Sequence, residues 1–407
     1  NSSLAHQLVI AGAGHAAGQV IASVRQKGFD GTIVLAGEEP WLPYQRPPLS
    51  KKFLAGELPA ERLYFKPQEF YATPDIDVRL ETRITAVDRE QQYVTTAADE
   101  RIAYDTLVLA TGSRARHVQV PGSDMEGLHY LRGIDDVLRI RHDLDSARNV
   151  VIIGAGYIGL EVAAVTRQLG YDVCVLEMAD RVMNRVVSPV VSDFYQAEHT
   201  ARGVHLMLSA ALEAIEGDTR VNAVRTDSGH SLPADLVIAG IGIVPNTELA
   251  ASAGLEVNNG IVVNAHCRTS DPNIYAVGDC TSHPNSIYGR HIRLESVHNA
   301  LEQAKTAAAN ICGEIVEYSQ VPWFWSDQYD LKLQIAGLSE RYDEVVVRGE
   351  PTTRSFSCLY LRDGVLIACD AINAPRDFVQ SKPLIATRQR IAPERLADIG
   401  VQLKELA

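Results

Sequence analysis

No cysteine precedes Cys174 in this chain of 407 residues, and the six that occur stand singly. Cys174, Cys267, Cys280, Cys312, Cys358 and Cys369 form no CxxC, no CxxxxC and no iron–sulfur spacing. Scattered thiols of this kind imply small buried side chains in a reducing compartment. Long hydrophobic runs are also missing: no stretch of about 18 or more apolar residues occurs, so no membrane span is expected. The twelve histidines show no HExxH or other ligand spacing, and no metal site is expected. Positive charge is in deficit, with a formal net charge of −13 at pH 7. That balance argues against broad binding to nucleic acid or anionic lipid, while leaving room for a local basic patch. The first residues lack a basic flank leading into a signal-type apolar core, and a cytoplasmic location is the expectation.

What is present is a globular composition, 46% hydrophobic and 22% charged, in a chain long enough for two or three domains. The strand-like LVIA, Leu8 to Ala11, runs into GAGHAAG, with Gly12, Gly14 and, at the third small position, Ala17. Small residues there let backbone approach a pyrophosphate and let the following helix, opened by His15 and Ala16, pack on the strand. The helix start then offers amide groups and the positive end of its dipole to the phosphates. The next strand-like run, TIVLAGEE, reaches Glu38, near where a carboxylate grips a ribose hydroxyl.

A second, complete copy follows in VVIIGAGYIGLEVAA, Val150 to Ala164, with Gly154, Gly156 and Gly159. Tyr157 and Ile158 lie between the last two glycines. Its succeeding strand, DVCVLE, ends at Glu177. A carboxylate there accepts from a ribose 2′-OH and repels a 2′-phosphate, favouring NAD over NADP. YDTLVLATGSRAR, Tyr104 to Arg116, reads as a buried strand ending in the tight turn Ala110, Thr111, Gly112. ADLVIAGIGIVPNTELA, Ala234 to Ala250, has the same form, with Gly242 at its turn. TSDPNIYAVGDC delivers Asp279 at the end of another strand, and a helical pattern runs from about Asn299 to Ile311. Beyond VPWFWSDQ the strand–helix alternation gives way to LQIAGL, EVVVRG, FSCLYL and VLIACDAI, which suggest an antiparallel sheet.

Taken in order, GAGHAAG, PYQRPPLSK, LVLATGSR, VVIIGAGYIGLEVAA, TSDPNIYAVGDC, LESVHNALEQA and PWFWSDQYD resemble the single-chain FAD-dependent NADH:ferredoxin reductases, of the putidaredoxin reductase and rhodocoxin reductase type. The resemblance spans nearly the whole chain. It implies an α/β fold with two Rossmann-like dinucleotide-binding domains of the glutathione-reductase type and a C-terminal α+β domain. The implied boundaries are 1–115 with 239–320 for a discontinuous FAD-binding domain, 116–238 for the NAD-binding domain and 321–407 for the C-terminal domain. The first glycine motif then holds FAD and the second NADH.

By the same resemblance, Lys51 lies beside the flavin N5 and pairs with Glu161. A cation there stabilises electron density arriving on the ring, and the carboxylate keeps the ammonium in place. Arg46, in the same stretch, reads as either phosphate-facing or a salt-bridge partner, while the resemblance implies Arg132 as an FAD contact. Asp279 is implied on the ribityl chain, the backbone of Val297 at the pyrimidine edge of the flavin, and the main chain of Ile84 at the adenine. The helix that Val297 opens would favour an anionic ring through its dipole. Trp325, in an aromatic cluster with Trp323, would shape the hydride-transfer pocket. His298 stands where proline or glutamine is the rule, a departure that bears on polar contacts near the flavin edge.

The implied reaction is hydride transfer from NADH, at an approach of roughly 3–3.5 Å, followed by electron delivery to a [2Fe–2S] ferredoxin that supplies a cytochrome P450. With no cysteine pair where the disulfide reductases keep theirs, electrons must leave the flavin directly for an outside acceptor. Arg290, Arg293 and Lys305 are candidates for a local docking face within a Debye length of about 8–10 Å. The alternatives are the reductase component of an aromatic-ring dioxygenase, an NADH oxidase or NADH:rubredoxin reductase of the same fold, and a flavin-bearing binding protein. A monomer is expected.

Overall fold

The computed structural model describes residues 6–407, which divide into two compact units. The first comprises residues up to Gln45, Glu61–Arg114 and Val244–Pro322; the second comprises Arg46–Ala60, Ala115–Ile243 and Trp323–Ala407.

In the first unit the runs that read as buried strands form one parallel sheet. Its order is Ile274–Ala276, Thr106–Leu109, Gln7–Ala11, Thr32–Ala36, Ile76–Arg79. The sequence LVIA has no polar alternation because both faces of the sheet are covered. Leu8 and Ile10 pack with Val20, Ile21 and Ala304 on one side, while Val9 and Ala11 pack with Val94, Ile102 and Ile261 on the other. The helices His15–Gln26 and Val297–Ile311 supply the first of these covers.

The second unit repeats the arrangement. Its parallel sheet runs His205–Met207, Asp172–Leu176, Asn149–Ile153, Leu236–Ala239, Leu128–Tyr130. In both sheets the strand that enters the glycine turn lies between the strand that follows its helix and the strand that ends in the second tight turn. The repetition visible in the two glycine motifs is therefore a repetition of topology. The unit also contains a five-stranded antiparallel sheet, Trp323–Gln328, Leu331–Gly337, Val365–Ile372, Ser355–Arg362, Glu344–Glu350, in that spatial order. These are the segments read as an antiparallel C-terminal sheet. The chain thus has two Rossmann-like parallel sheets and a C-terminal α+β part, as expected.

Three local readings shift. The strand Thr32–Ala36 ends two residues before Glu38, and Asp172–Leu176 ends one before Glu177, so both acids stand just beyond their strands. The last helix of the first unit starts at Val297 rather than Asn299, because Ser296 caps it by accepting from Asn299 N at 3.0 Å. The segment Arg46–Ala60, inside the expected FAD-binding span, groups with the second unit.

Candidate functional site

Each glycine turn combines a backbone necessity with a space that no protein atom fills. Gly12 has φ of +113° and Gly154 of +99°; a Cβ on either would sit 2.0 Å from Ala110 O or 2.1 Å from Gly240 O. These two glycines are required by the chain itself. Gly14 and Gly156 differ, since a Cβ at either would meet nothing within 4 Å. They are also the N-cap positions of the helices His15–Gln26 and Tyr157–Gln168, and neither helix has a side-chain cap. Open space in front of uncapped amides is the shape that a pyrophosphate fills. His15 and Ala16, like Tyr157 and Ile158, form the first turns of these helices. Gly159 closes against the turn, where a Cβ would lie 2.3 Å from Gly154 O.

Glu177 is half-buried and its Oε2 accepts from Ala155 N at 3.1 Å, which holds the carboxylate at the rim of the second turn. Glu38 is exposed at the corresponding place in the first unit. Ala110, Thr111 and Gly112 form a turn tied to Asn246: Thr111 Oγ1 donates to Asn246 O at 2.7 Å and Asn246 Nδ2 donates to Thr111 O at 2.8 Å. Gly242, at φ of +105°, has the guanidinium groups of Arg185 and Arg116 as its nearest side chains. Asp279 is half-buried and follows Gly278, whose N–H donates to Gln303 Oε1 at 2.8 Å. Val297 is the first residue of its helix, and Ile84 opens the strand Ile84–Asp88.

A third cluster lies wholly within the second unit. The two prolines of RPPLSK start a single 3₁₀ turn, Pro47–Ser50, as expected where φ is preset and no N–H is needed. Lys51 leaves that turn and folds back, donating to Pro47 O at 2.9 Å. Its Nζ meets Glu161 Oε1 at 2.9 Å. Glu161 stands on the buried face of the helix Tyr157–Gln168 with 1% of its side chain exposed. A lone buried carboxylate is costly, so its partners decide its state. Ser50 Oγ donates to Oε1 at 2.6 Å and Ser326 Oγ to Oε2 at 2.7 Å. Burial pushes the Glu161 carboxyl above the usual range, and Lys51, Ser50 and Ser326 pull it back. Every side chain bonded to it donates, an arrangement that suits the carboxylate.

The structure therefore joins Lys51 to Glu161 and also joins Arg46 to Arg132, whose carbonyl accepts from Arg46 Nη1. Arg132 N and Gly133 N both donate to Asp136 Oδ2, fixing the start of the next helix. Trp325 stands 5.7 Å from Trp323 between ring centroids. Strand alternation puts these two on one face of Trp323–Gln328, and puts Phe324, Ser326 and Gln328 on the other. Phe324 meets Tyr157 at 5.3 Å and Ser326 meets Glu161. Ser50, Ser326 and Gln328 escaped the sequence reading. Ser50 adjoins Lys51, but Ser326 is found only by counting alternate residues from a tryptophan whose facing is known.

Residues 6–304 match the model of the pyridine nucleotide-disulphide oxidoreductase family, and residues 323–407 match a reductase C-terminal family. The chain is 44% identical to putidaredoxin reductase of Pseudomonas putida, over 98% of this chain and 96% of that one. It is equally 44% identical to the ferredoxin reductase subunit of 5,5′-dehydrodivanillate O-demethylase from a Sphingobium species, over 98% and 97%. A crystal structure of the covalent putidaredoxin reductase–putidaredoxin complex superposes with a TM-score of 0.95 at 43% identity, covering 100% of this chain and 98% of that one. Two glycine cradles on repeated parallel sheets, followed by an antiparallel C-terminal sheet, thus coincide with both family models, and the chain belongs to the pyridine nucleotide-disulphide oxidoreductase family.

Proposed function

We propose that the protein is an FAD-dependent NADH:ferredoxin oxidoreductase that delivers electrons to a [2Fe–2S] ferredoxin serving a cytochrome P450. The observation that carries the reading is the pair of the part-exposed Lys51 with the buried Glu161, in a chain that has two uncapped glycine cradles and no cysteine before Cys174. FAD, when bound, supplies the conversion between a two-electron hydride donor and single-electron acceptors.

The chain's own residues do the binding and the charge placement. In this reading Gly12, Gly14, His15 and Ala16 hold the FAD pyrophosphate and Glu38 its ribose. Ala110, Thr111, Gly112, Arg46, Arg132, Ile84, Asp279 and Val297 complete that site, within a domain of residues 1–115 and 239–320. Gly154, Gly156, Tyr157, Ile158, Gly159 and Gly242 receive NADH in the domain 116–238, with Glu177 on the adenosine ribose. Trp325, from the domain 321–407, borders the nicotinamide. Lys51 Nζ is the fixed positive charge that favours a reduced, electron-rich ring, and Glu161 keeps the ammonium aimed. The lack of an N-terminal cysteine pair leaves an external carrier as the electron acceptor. The six unpaired thiols suit a reducing, cytoplasmic compartment, and a monomer is the assembly in this reading.

Stopped-flow mixing of the FAD-loaded protein with NADH, then with NADPH, followed by a panel of purified [2Fe–2S] ferredoxins, tests the reading. Flavin bleaching by NADH at least about 100-fold faster than by NADPH is expected, since a carboxylate repels a 2′-phosphate. Rapid reduction of at least one ferredoxin should follow. Equal rates with both nucleotides would overturn the role of Glu177. Oxygen consumption that outruns transfer to every ferredoxin would overturn the carrier assignment.

A further inference from the structure

Behind Glu161 a line of buried side chains runs through the second unit. Ser326 Oγ, 2.7 Å from Glu161 Oε2, receives the Gln328 amide Nε2 at 3.1 Å. Gln328 Oε1 meets His199 Nε2 at 2.8 Å, and His199 Nδ1 meets the Tyr329 hydroxyl at 3.0 Å. Ser326, Gln328 and His199 are fully buried. Ser326 and Gln328 share one face of their strand, and His199 comes from the helix Pro189–Ala201.

The polarity of the line follows from its chemistry. The Gln328 amide donates at Ser326 and Met183 Sδ and accepts at its other end, which requires His199 to carry its proton on Nε2. Nδ1 is then an acceptor, and the Tyr329 O–H donates to it. Burial pushes the His199 imidazole down to about 4 and the Tyr329 phenol up to about 12, so both keep these neutral forms at neutral pH. Four donors point the same way, and the last is the Ser326 hydroxyl aimed at Glu161. Tyr329 supports a specific purpose for its placement. It occupies the hairpin between Trp323–Gln328 and Leu331–Gly337 at φ of +57°, a conformation that a bulky aromatic residue adopts at a cost. The Arg202 guanidinium holds its ring from 4.1 Å.

We propose that Gln328 and His199 are positioning residues: through Ser326 they hold the Glu161 carboxylate in the orientation that presents Lys51 to the flavin site. The line carries orientation and not protons, because an amide passes a proton only by becoming an imidic acid. The inference rests on the reading of Lys51 and Glu161 given above.

The polarity is testable without mutation. ¹⁵N-histidine NMR of the FAD-loaded protein at pH 7 is expected to show His199 as the Nε2–H tautomer, its signal identified by loss in His199→Gln. An Nδ1–H tautomer would mean a reversed amide and a Ser326 hydroxyl turned away from Glu161, and would overturn the proposal. The role is tested by a cycle of Ser326→Ala, Gln328→Met and the double variant, followed by the rate of flavin reduction and its pH profile. Each single change is expected to slow reduction about tenfold, shift the profile by about one unit and leave the KM for NADH within about twofold. The double variant should be no slower than Ser326→Ala alone, because Gln328 acts only through Ser326. Additive losses, or an unshifted profile, would overturn it. Failure of NADH to bleach the wild-type flavin would instead overturn the functional reading, while the tautomer still decides the polarity of the line.

Discussion

Within each glycine turn, neighbouring residues serve different masters. Gly12 answers to the chain, since its φ of +113° and the Ala110 carbonyl at 2.0 Å leave no room for a side chain. Gly14 answers to the ligand, since a Cβ there meets nothing within 4 Å and its φ of −82° suits any residue. Gly12→Ala is therefore expected to destabilise the protein by about 3 kcal/mol, read as a lowered urea midpoint. Gly14→Ala should unfold within about 0.5 kcal/mol of the parent in the FAD-free form, yet retain flavin at least about tenfold more weakly in equilibrium dialysis. A loss of FAD-free stability equal to that of Gly12→Ala would show that Gly14 is structural. The motif spacing alone identifies both glycines and cannot separate these roles. The separation lies in what stands opposite each Cβ position.

The strands and helices that carry the chemistry were largely legible. Unbroken apolar runs such as NVVII mark strands buried on both faces, and the small residues after them mark the turns. What the run does not reveal is how an element is held in register with its neighbour. Gln303, on the helix Val297–Ile311, accepts from Gly278 N and from Asn299 Nδ2 at 3.1 Å, and its Nε2 donates to Thr281 Oγ1 at 3.0 Å. One buried amide thus ties the turn bearing Asp279 to the helix opened by Val297. Gln303→Leu leaves a buried N–H without its acceptor and is expected to cost about 2–3 kcal/mol. Differential scanning calorimetry should show a lower Tm, and flavin release should quicken. An unchanged Tm would mean that Asp279 is placed by other contacts. Nothing in LESVHNALEQAK singles this glutamine out, because helical periodicity assigns a face without saying what polar group waits there.

For the molecule as a whole, charge and pH decide two further outcomes. Lys305 lies 3.3 Å from Glu302, and Arg293 lies 3.0 Å from Glu295, so these docking candidates are already paired with acids. Lys305→Glu should raise the apparent KM for ferredoxin by about threefold, an electrostatic effect that fades with salt. NADH–ferricyanide turnover should be unchanged, and an equal loss with both acceptors would count against docking. The two buried imidazoles should cost the protein folding stability as the medium is acidified from pH 6.5 toward 4. Burial holds His199 and His283 down to about 4 against an ordinary 6.5, so in this window the unfolded chain binds protons that the folded one refuses. Asp370, pushed up to about 7 by burial, and Glu161, whose carboxyl burial also raises, contribute in the opposite direction as the pH falls. The Tm of the parent should therefore change less favourably across the window than that of His199→Gln, which lacks one of the two imidazoles. Parallel profiles of the parent and His199→Gln would mean that the buried imidazole is protonated in the folded state.

The amino-acid sequence by itself determined the two nucleotide motifs, the carboxylates following their second strands, the antiparallel character of the last part and the absence of an early dithiol. Each of these is a matter of spacing, period or residue type along a short stretch of chain. The pairing of Lys51 with Glu161, and the serines that close round the carboxylate, were decided by the tertiary structure. Residues bonded to one another there lie up to 165 positions apart, and only the meeting of a 3₁₀ turn, a helix and a strand determines whether a buried charge finds donors there. Recognition of the family supplied the Lys51–Glu161 pair in advance; nothing in local sequence supplied Ser326 or the buried line behind it.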